Sequence, residues 1–108
     1  MTNETLETIK KRRSCRAYKP EQITDEELNA VLEAGTYAAS AMGRQSAKIV
    51  VVQDAATRAQ LTRMNAAVMG TNNDPMYAAP TILVVLADAN SKNAVQDGSL
   101  VMGNLMLA

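Results

Sequence analysis

Apolar positions along this chain fall into helical periods interrupted by two β-branched runs, and that alternation predicts the order of elements. Leu6 and Ile9 share one face of a first helix, expected from a Thr2 or Asn3 cap through about Arg13. Glu4 and Glu7 suit its positive end, and Lys10 to Arg13 fall in its last turn, where cations complement the dipole. Residues 14–23 form a polar connection containing Pro20. Thr24-Asp25-Glu26-Glu27 has the spacing of a capping box, with Ile23 before it as a hydrophobic staple. The helix it opens carries Leu28, Val31, Leu32 and Ala34-Gly35 at helical spacing and is expected to end near Ala38 or Ala39.

Residues 40–46 predict a loop, and residues 48–53 a buried strand, because β-branched side chains pack well on a pleated interior. Asp54 predicts the cap of a third helix over residues 55–69, with Leu61, Met64 and Val68 on its buried side. Residues 70–75 are dense in turn formers. Residues 80–86 predict a second apolar strand, with Pro80 at the first position, where no ladder donor is needed. From about Ser91 to Ala108 the pattern is a helix apolar almost all round after Ser99, which predicts burial on every side. It stops at Leu105-Met106-Leu107-Ala108 with no cap, glycine or polar tail there, and the expectation is a single domain, residues 1–108, truncated at its C-terminus. The fold class is an α/β or α+β sandwich with an incomplete sheet: two strands and about four helices. Further strands are expected from a missing segment or a partner chain.

Composition narrows the chemistry. Eleven basic and eleven acidic residues give zero net charge, which argues against a general nucleic-acid or membrane-surface binder. The apolar content is aliphatic, with seven Met and neither Phe nor Trp, and suits an adaptable core or interface. One cysteine excludes an internal disulfide and a Cys-based zinc site, and the lack of histidine removes the commonest general base and metal ligand. The polar N-terminus is unlike a signal peptide and the longest apolar stretch, residues 78–87, is too short to span a bilayer, so a soluble cytoplasmic protein is expected. No Walker-type loop or G-x-G-x-x-G fingerprint occurs. If the chain is an enzyme, a cofactor must carry the hard chemistry.

The first candidate site is the cluster Arg12, Arg13, Ser14 and Arg16, whose guanidinium forks match phosphate oxygens bidentately. The competing reading, a solvated basic helix end, is the commoner outcome for such spacing alone. In the 40–46 loop, small residues let a planar ligand approach the backbone, and Gln45 offers both donor and acceptor. An ordinary helix-to-strand connection explains the same residues. Asn72 and Asn73 suit a heterocycle edge, or simply a turn. Asp97 is expected to cap a helix or sit at its exposed start, and Cys15 to be a passive thiol beside the arginines.

In order, these segments resemble the nitroreductase family of FMN-dependent oxidoreductases, of which the chain resembles the N-terminal part. Ile9-Lys10-Lys11-Arg12-Arg13-Ser14-Cys15-Arg16-Ala17-Tyr18 is similar to the family's R-R-S-x-R-x-[FY] opening. Ile23 to Leu28, and the helix ending Glu33-Ala34-Gly35, continue the likeness. Ser40-Ala41-Met42-Gly43-Arg44-Gln45-Ser46 stands where the family has a P-S-x-x-N-x-Q-P-like loop, with Gly43 in place of the asparagine and Ala39 and Ser46 in place of the prolines. Tyr77-Ala78-Ala79-Pro80 resembles the Y-x-A-P entry to the next strand, and Asp97 through Ala108 the start of the dimer-interface helix.

The resemblance implies a nitroreductase-like helix and sheet sandwich of α+β class and a homodimer with FMN at the interface. Arg12, Arg13, Ser14 and Arg16 would hold the FMN phosphate and ribityl chain. Ser40, Met42 and Gln45, often supplied by the second subunit, would lie along the isoalloxazine ring. Asn72, or Asn73, would reach the ring's pyrimidine edge. NADH or NADPH would reduce the flavin, and a small-molecule acceptor such as a nitro compound or quinone would reoxidise it. The alternative is a non-catalytic, truncated flavin-binding or dimerisation module. A third reading, a small adaptor for phosphorylated ligands, rests on the arginines alone.

Overall fold

Four α-helices, one 3₁₀ turn and two strands follow one another in the structure, a computed structural model that describes residues 1–108. They are α1 (Glu4–Lys11), α2 (Asp25–Thr36), the 3₁₀ turn (Ala41–Gly43), β1 (Lys48–Val52), α3 (Ala55–Met69), β2 (Ile82–Leu86) and α4 (Ala94–Leu107). The α+β class and the count of two strands and four helices agree with expectation. Residues group into two compact units: Met1–Ser14, Thr24–Ile49 and Val85–Ala108 in the first, Cys15–Ile23 and Val50–Val84 in the second. β1 and β2 are hydrogen-bonded neighbours in one two-stranded sheet. They run antiparallel: Gln53, just after β1, donates its side-chain Nε2 to the Thr81 hydroxyl just before β2 (3.0 Å), and Lys48 borders one hollow with Leu86.

In the first unit, Asn3 caps α1 by accepting the Leu6 amide (2.9 Å). The helix stops at Lys11, two residues short of the expected end, because Arg12 turns to extended backbone (φ −52°, ψ 134°). Arg13 closes that end by donating to the Lys10 and Arg12 carbonyls (2.8 and 2.9 Å). The capping box of α2 is present in full: Thr24 Oγ1 accepts the Glu27 amide (3.1 Å) and Glu27 Oε2 accepts the Thr24 amide (2.9 Å). α2 ends at Thr36 rather than Ala38 or Ala39. The Tyr37 and Ala38 amides reach the carbonyls three residues back, tightening the last turn into a stop.

α4 packs against α2, and Asn104 reinforces the crossing by donating to the Ala34 carbonyl (2.9 Å). Gly35 is the one buried residue of α2. α4 meets α2 along one side, and within residues 1–108 its other side, with Val95, Leu100, Met102 and Met106, is exposed, so the expected burial on every side is not reached by this chain's own elements. The one buried residue of α4 is Asp97.

In the second unit, α3 has the expected bounds. Asp54 accepts from the Thr57 amide and hydroxyl (2.9 and 2.7 Å), and Gly70 ends the helix in left-handed conformation (φ 66°). Its buried side is misjudged from the sequence, since Met64 and Val68 are exposed and Leu61 is half-buried. Arg58 sets the rotation of the helix. Its guanidinium donates to the Gln53 and Ala79 carbonyls (3.1 and 3.2 Å), turning the face of Arg58, Leu61, Thr62 and Ala66 inward.

β1 ends at Val52 rather than Gln53, and Val50 is exposed, so the strand is not buried throughout. β2 begins at Ile82, two residues after Pro80. Gln22 accounts for the delay: its side chain donates to the Pro80 carbonyl (2.8 Å) and pairs with the Thr81 hydroxyl, so side chains hold these residues in place of a strand ladder. Ile82 is the single buried hydrophobic residue.

Candidate functional site

The loop between α2 and β1 is tied down from within and from outside. Ser40 Oγ accepts the Gln45 amide (2.9 Å), while the Gly43 and Arg44 amides reach the Ser40 and Ala41 carbonyls. Met42 (φ 54°), Gly43 (φ 64°) and Gln45 (φ 49°) all hold left-handed backbone. The glycine does so at no steric cost, whereas Met42 and Gln45 need surroundings that enforce it. Two external bonds do so. Gln45 Nε2 donates to the Thr36 carbonyl at the end of α2 (3.2 Å), and the Ala41 amide donates to Asp97 Oδ1 (2.9 Å).

This loop borders a cavity of about 380 Å³ within the first unit. Its wall is mostly aliphatic, including Leu32, Ile49 and Val101, with Ser40, Gln45 and Asp97 as polar groups. A concave, largely apolar wall with a few placed polar groups suits a flat organic ligand. The structure therefore brings Ser40 and Gln45 together on one cavity. Met42 lies off that wall, exposed, with its sulfur 3.4 Å from Arg44 Nη2.

Arg12, Arg13 and Ser14, in the first unit, are exposed. The one ion pair in the structure joins Lys10 and Glu7 (4.0 Å), so no carboxylate neutralises these arginines. In the second unit Arg16 and Asn72 are exposed too, and Arg16 is likewise without an acidic partner. The Asn73 amide donates to Thr71 Oγ1 (3.1 Å), a turn bond of the kind expected there. Cys15 is an exposed free thiol 3.1 Å from the Ala17 carbonyl.

Asp74, nearby in the sequence, holds consecutive left-handed residues Tyr77 and Ala78 (φ 53° and 55°) by accepting the Met76 and Ala78 amides (2.8 and 2.7 Å). The same backbone donors, Met76 first, hold its carboxyl below the ordinary carboxylate range.

Asp97 is the residue the sequence conceals. It does lie in the first turn of α4, but it is 4% exposed and its carboxylate bonds a loop amide 56 positions earlier instead of capping its own helix. Nothing local reveals that partner. The one available hint is an acidic residue heading an otherwise apolar helix.

The family profile described as Nitroreductase family matches residues 9–108. The chain belongs to the nitroreductase family. It is 34% identical to an Archaeoglobus fulgidus protein provisionally named NADH dehydrogenase/NAD(P)H nitroreductase, over 97% of this chain and 60% of that relative. Among solved structures, a nitroreductase with bound FMN from Bacteroides fragilis superposes with a TM-score of 0.85 at 34% identity, covering 98% of this chain and 64% of that one. A nitroreductase with bound FMN from Desulfitobacterium hafniense gives 0.87 at 30% identity, covering 99% and 64%. The nitroreductase fold is thus established for this chain, which spans about 60% of the length of its relatives. No helix is long and apolar enough to cross a membrane, and no group of three or more acidic, His or Cys side chains is placed to hold a metal ion.

Proposed function

We propose that this chain forms the FMN-holding part of an oxidoreductase that takes hydride from NADH or NADPH and passes electrons to nitro compounds, quinones or similar small acceptors, acting as a homodimer. The observation that carries this reading is the likeness of nearly the whole chain to nitroreductases with FMN bound. When bound, FMN supplies the hydride-accepting and electron-donating chemistry.

The donor set suits that cofactor. Arg12, Arg13 and Arg16 are exposed guanidinium groups without acidic partners, and Ser14 adds a hydroxyl, donor types that suit a dianionic phosphate and a ribityl chain. Ser40 and Gln45 give the loop beside the aliphatic cavity its polar contacts to a ring, in the family often that of the second subunit. Met42 offers a polarizable thioether to an aromatic face. Asn72 or Asn73 provides the paired donor and acceptor that a pyrimidine edge requires. With no histidine in the chain, these residues bind and orient.

The test is an absorption spectrum of the purified chain after incubation with FMN and removal of free flavin, followed by an NAD(P)H consumption assay with menadione or a nitroaromatic. Retained flavin bands with turnover are expected. A protein that stays colourless overturns the reading, and bound flavin without turnover leaves a flavin-binding module.

A further inference from the structure

We propose that Asp97 is a positioning residue for the flavin ring: from the first turn of α4 its buried carboxylate grips the Ala41 amide and so holds the Ser40–Gln45 loop in the shape that would meet the ring. The inference rests on the flavin reading above. Asp97 is the only buried polar or charged residue in the chain, at 4% exposure. Removing a carboxylate from water is unfavourable unless strong donors compensate, so a buried one implies a specific task. Its one hydrogen bond to protein goes to Ala41, not to the first amides of α4, and Asn93 at the helix start makes no side-chain cap either. Helix capping therefore does not explain it. The positive end of α4 favours an anion at this place, which steadies the carboxylate as acceptor.

The loop has a matching need. Met42 and Gln45 hold left-handed backbone that non-glycine residues keep only under constraint. The amides of Gly43, Arg44 and Gln45 are satisfied by Ser40 and Ala41, inside the loop itself. Those bonds fix its internal shape but not its place. Gln45 Nε2 ties the far end of the loop to the Thr36 carbonyl of α2, and Asp97 is the side chain from outside the loop that holds its near end, on the cavity wall it shares with Ser40 and Gln45.

The experiment compares the full chain with Asp97→Ala and Asp97→Asn, the latter retaining an oxygen that can accept the Ala41 amide. Without flavin, amide hydrogen exchange is read for residues 41–45 and for α2 and α4. Loss of one charge-assisted bond predicts exchange about tenfold faster in the loop of Asp97→Ala. The helices should stay unchanged and Asp97→Asn should remain close to wild type. With flavin, Asp97→Ala should alter the visible circular dichroism of the ring and weaken FMN and riboflavin by the same factor, leaving their affinity ratio intact. Unchanged loop exchange, helices that loosen with the loop, an asparagine variant as impaired as alanine, or an unaltered ring spectrum would each overturn the proposal. If Asp97→Ala does not fold, Ala41→Pro removes the same bond from the donor side and decides the matter by the same exchange readout. Ser40 already has the extended backbone that a following proline requires (φ −138°, ψ 154°). A wild-type chain with a protected loop that binds no flavin refutes the flavin reading, and the ring role with it. Flavin binding with an indifferent Asp97 refutes this proposal alone.

Discussion

Replacing Gly35 by alanine probes how closely α2, β1 and α4 approach one another. A Cβ at this position would lie 2.8 Å from both Ile49 Cδ1 and Leu105 Cδ2, and 3.3 Å from Leu105 Cγ. Carbon atoms rest at about 3.5–4.0 Å, so both methyl groups must move by more than half an ångström. Both are side-chain tips, but the Leu105 branch point is also crowded, so rotation of one methyl does not relieve the contact. Displacing two packed side chains by partial rotation costs about 0.5–1.5 kcal/mol each. Against this, alanine gains about 1 kcal/mol of helix propensity over glycine. The balance is a net loss of about 1 kcal/mol, or about 5 °C in Tm for a domain of this size. Gly98→Ala is the control, because its Cβ meets Ala87 Cβ at 3.6 Å and Val85 Cγ1 at 3.9 Å, ordinary contacts that leave the propensity gain intact. Urea unfolding followed by far-ultraviolet circular dichroism, at matched concentrations, should place the two variants on opposite sides of wild type. A Gly35→Ala protein as stable as wild type, beside a stabilised Gly98→Ala, would refute the packing argument.

Thr24→Ala removes half of the capping box of α2 and should lower stability by about 1 kcal/mol in the same assay, with Thr24→Ser restoring most of it. Asp54 and Asp74 both hold their carboxyls below the ordinary value, through hydrogen bonds from Thr57 in one case and from backbone amides, Met76 first, in the other. Their contribution is present above the unfolded carboxylate value of about 3.9 and is lost as pH falls through the lower folded values. Acid unfolding should therefore steepen below about pH 4 and become shallower in an Asp54→Asn, Asp74→Asn double variant. Arg12→Ala should weaken FMN about tenfold and leave riboflavin unchanged in a flavin titration, since one charge-assisted contact to phosphate is removed.

The capped elements were the legible part of this fold. Thr24 and Glu27 marked the start of α2, and Asp54 with Gly70 gave both ends of α3, because capping is encoded within a few neighbouring residues. Partners distant in sequence were not legible. Arg58 turned α3 away from its apparent apolar face, and Gln22 delayed β2 by engaging Pro80 and Thr81. Periodicity reports which side chains are apolar, not whether a surface is present to cover them, and Val68 and Met106 are apolar yet exposed. For the candidate site, the order of motifs singles out the loop that carries Ser40 and Gln45, which share one cavity wall. Asp97 was missed, because its value depends on an amide that only the folded chain brings to it.

The scarcity of sealed interior has its own thermodynamic signature. Ile82 is the single buried hydrophobic residue, and no side chain is fully enclosed. The slope of unfolding free energy against urea scales with the surface newly exposed, so this chain should sit near the low end of the usual range of about 1–3 kcal/mol/M. Its heat-capacity change should be correspondingly small and its melting broad. A binding surface laid over Val95, Leu100 and Met106 of α4 would sharpen that transition and make its midpoint depend on protein concentration.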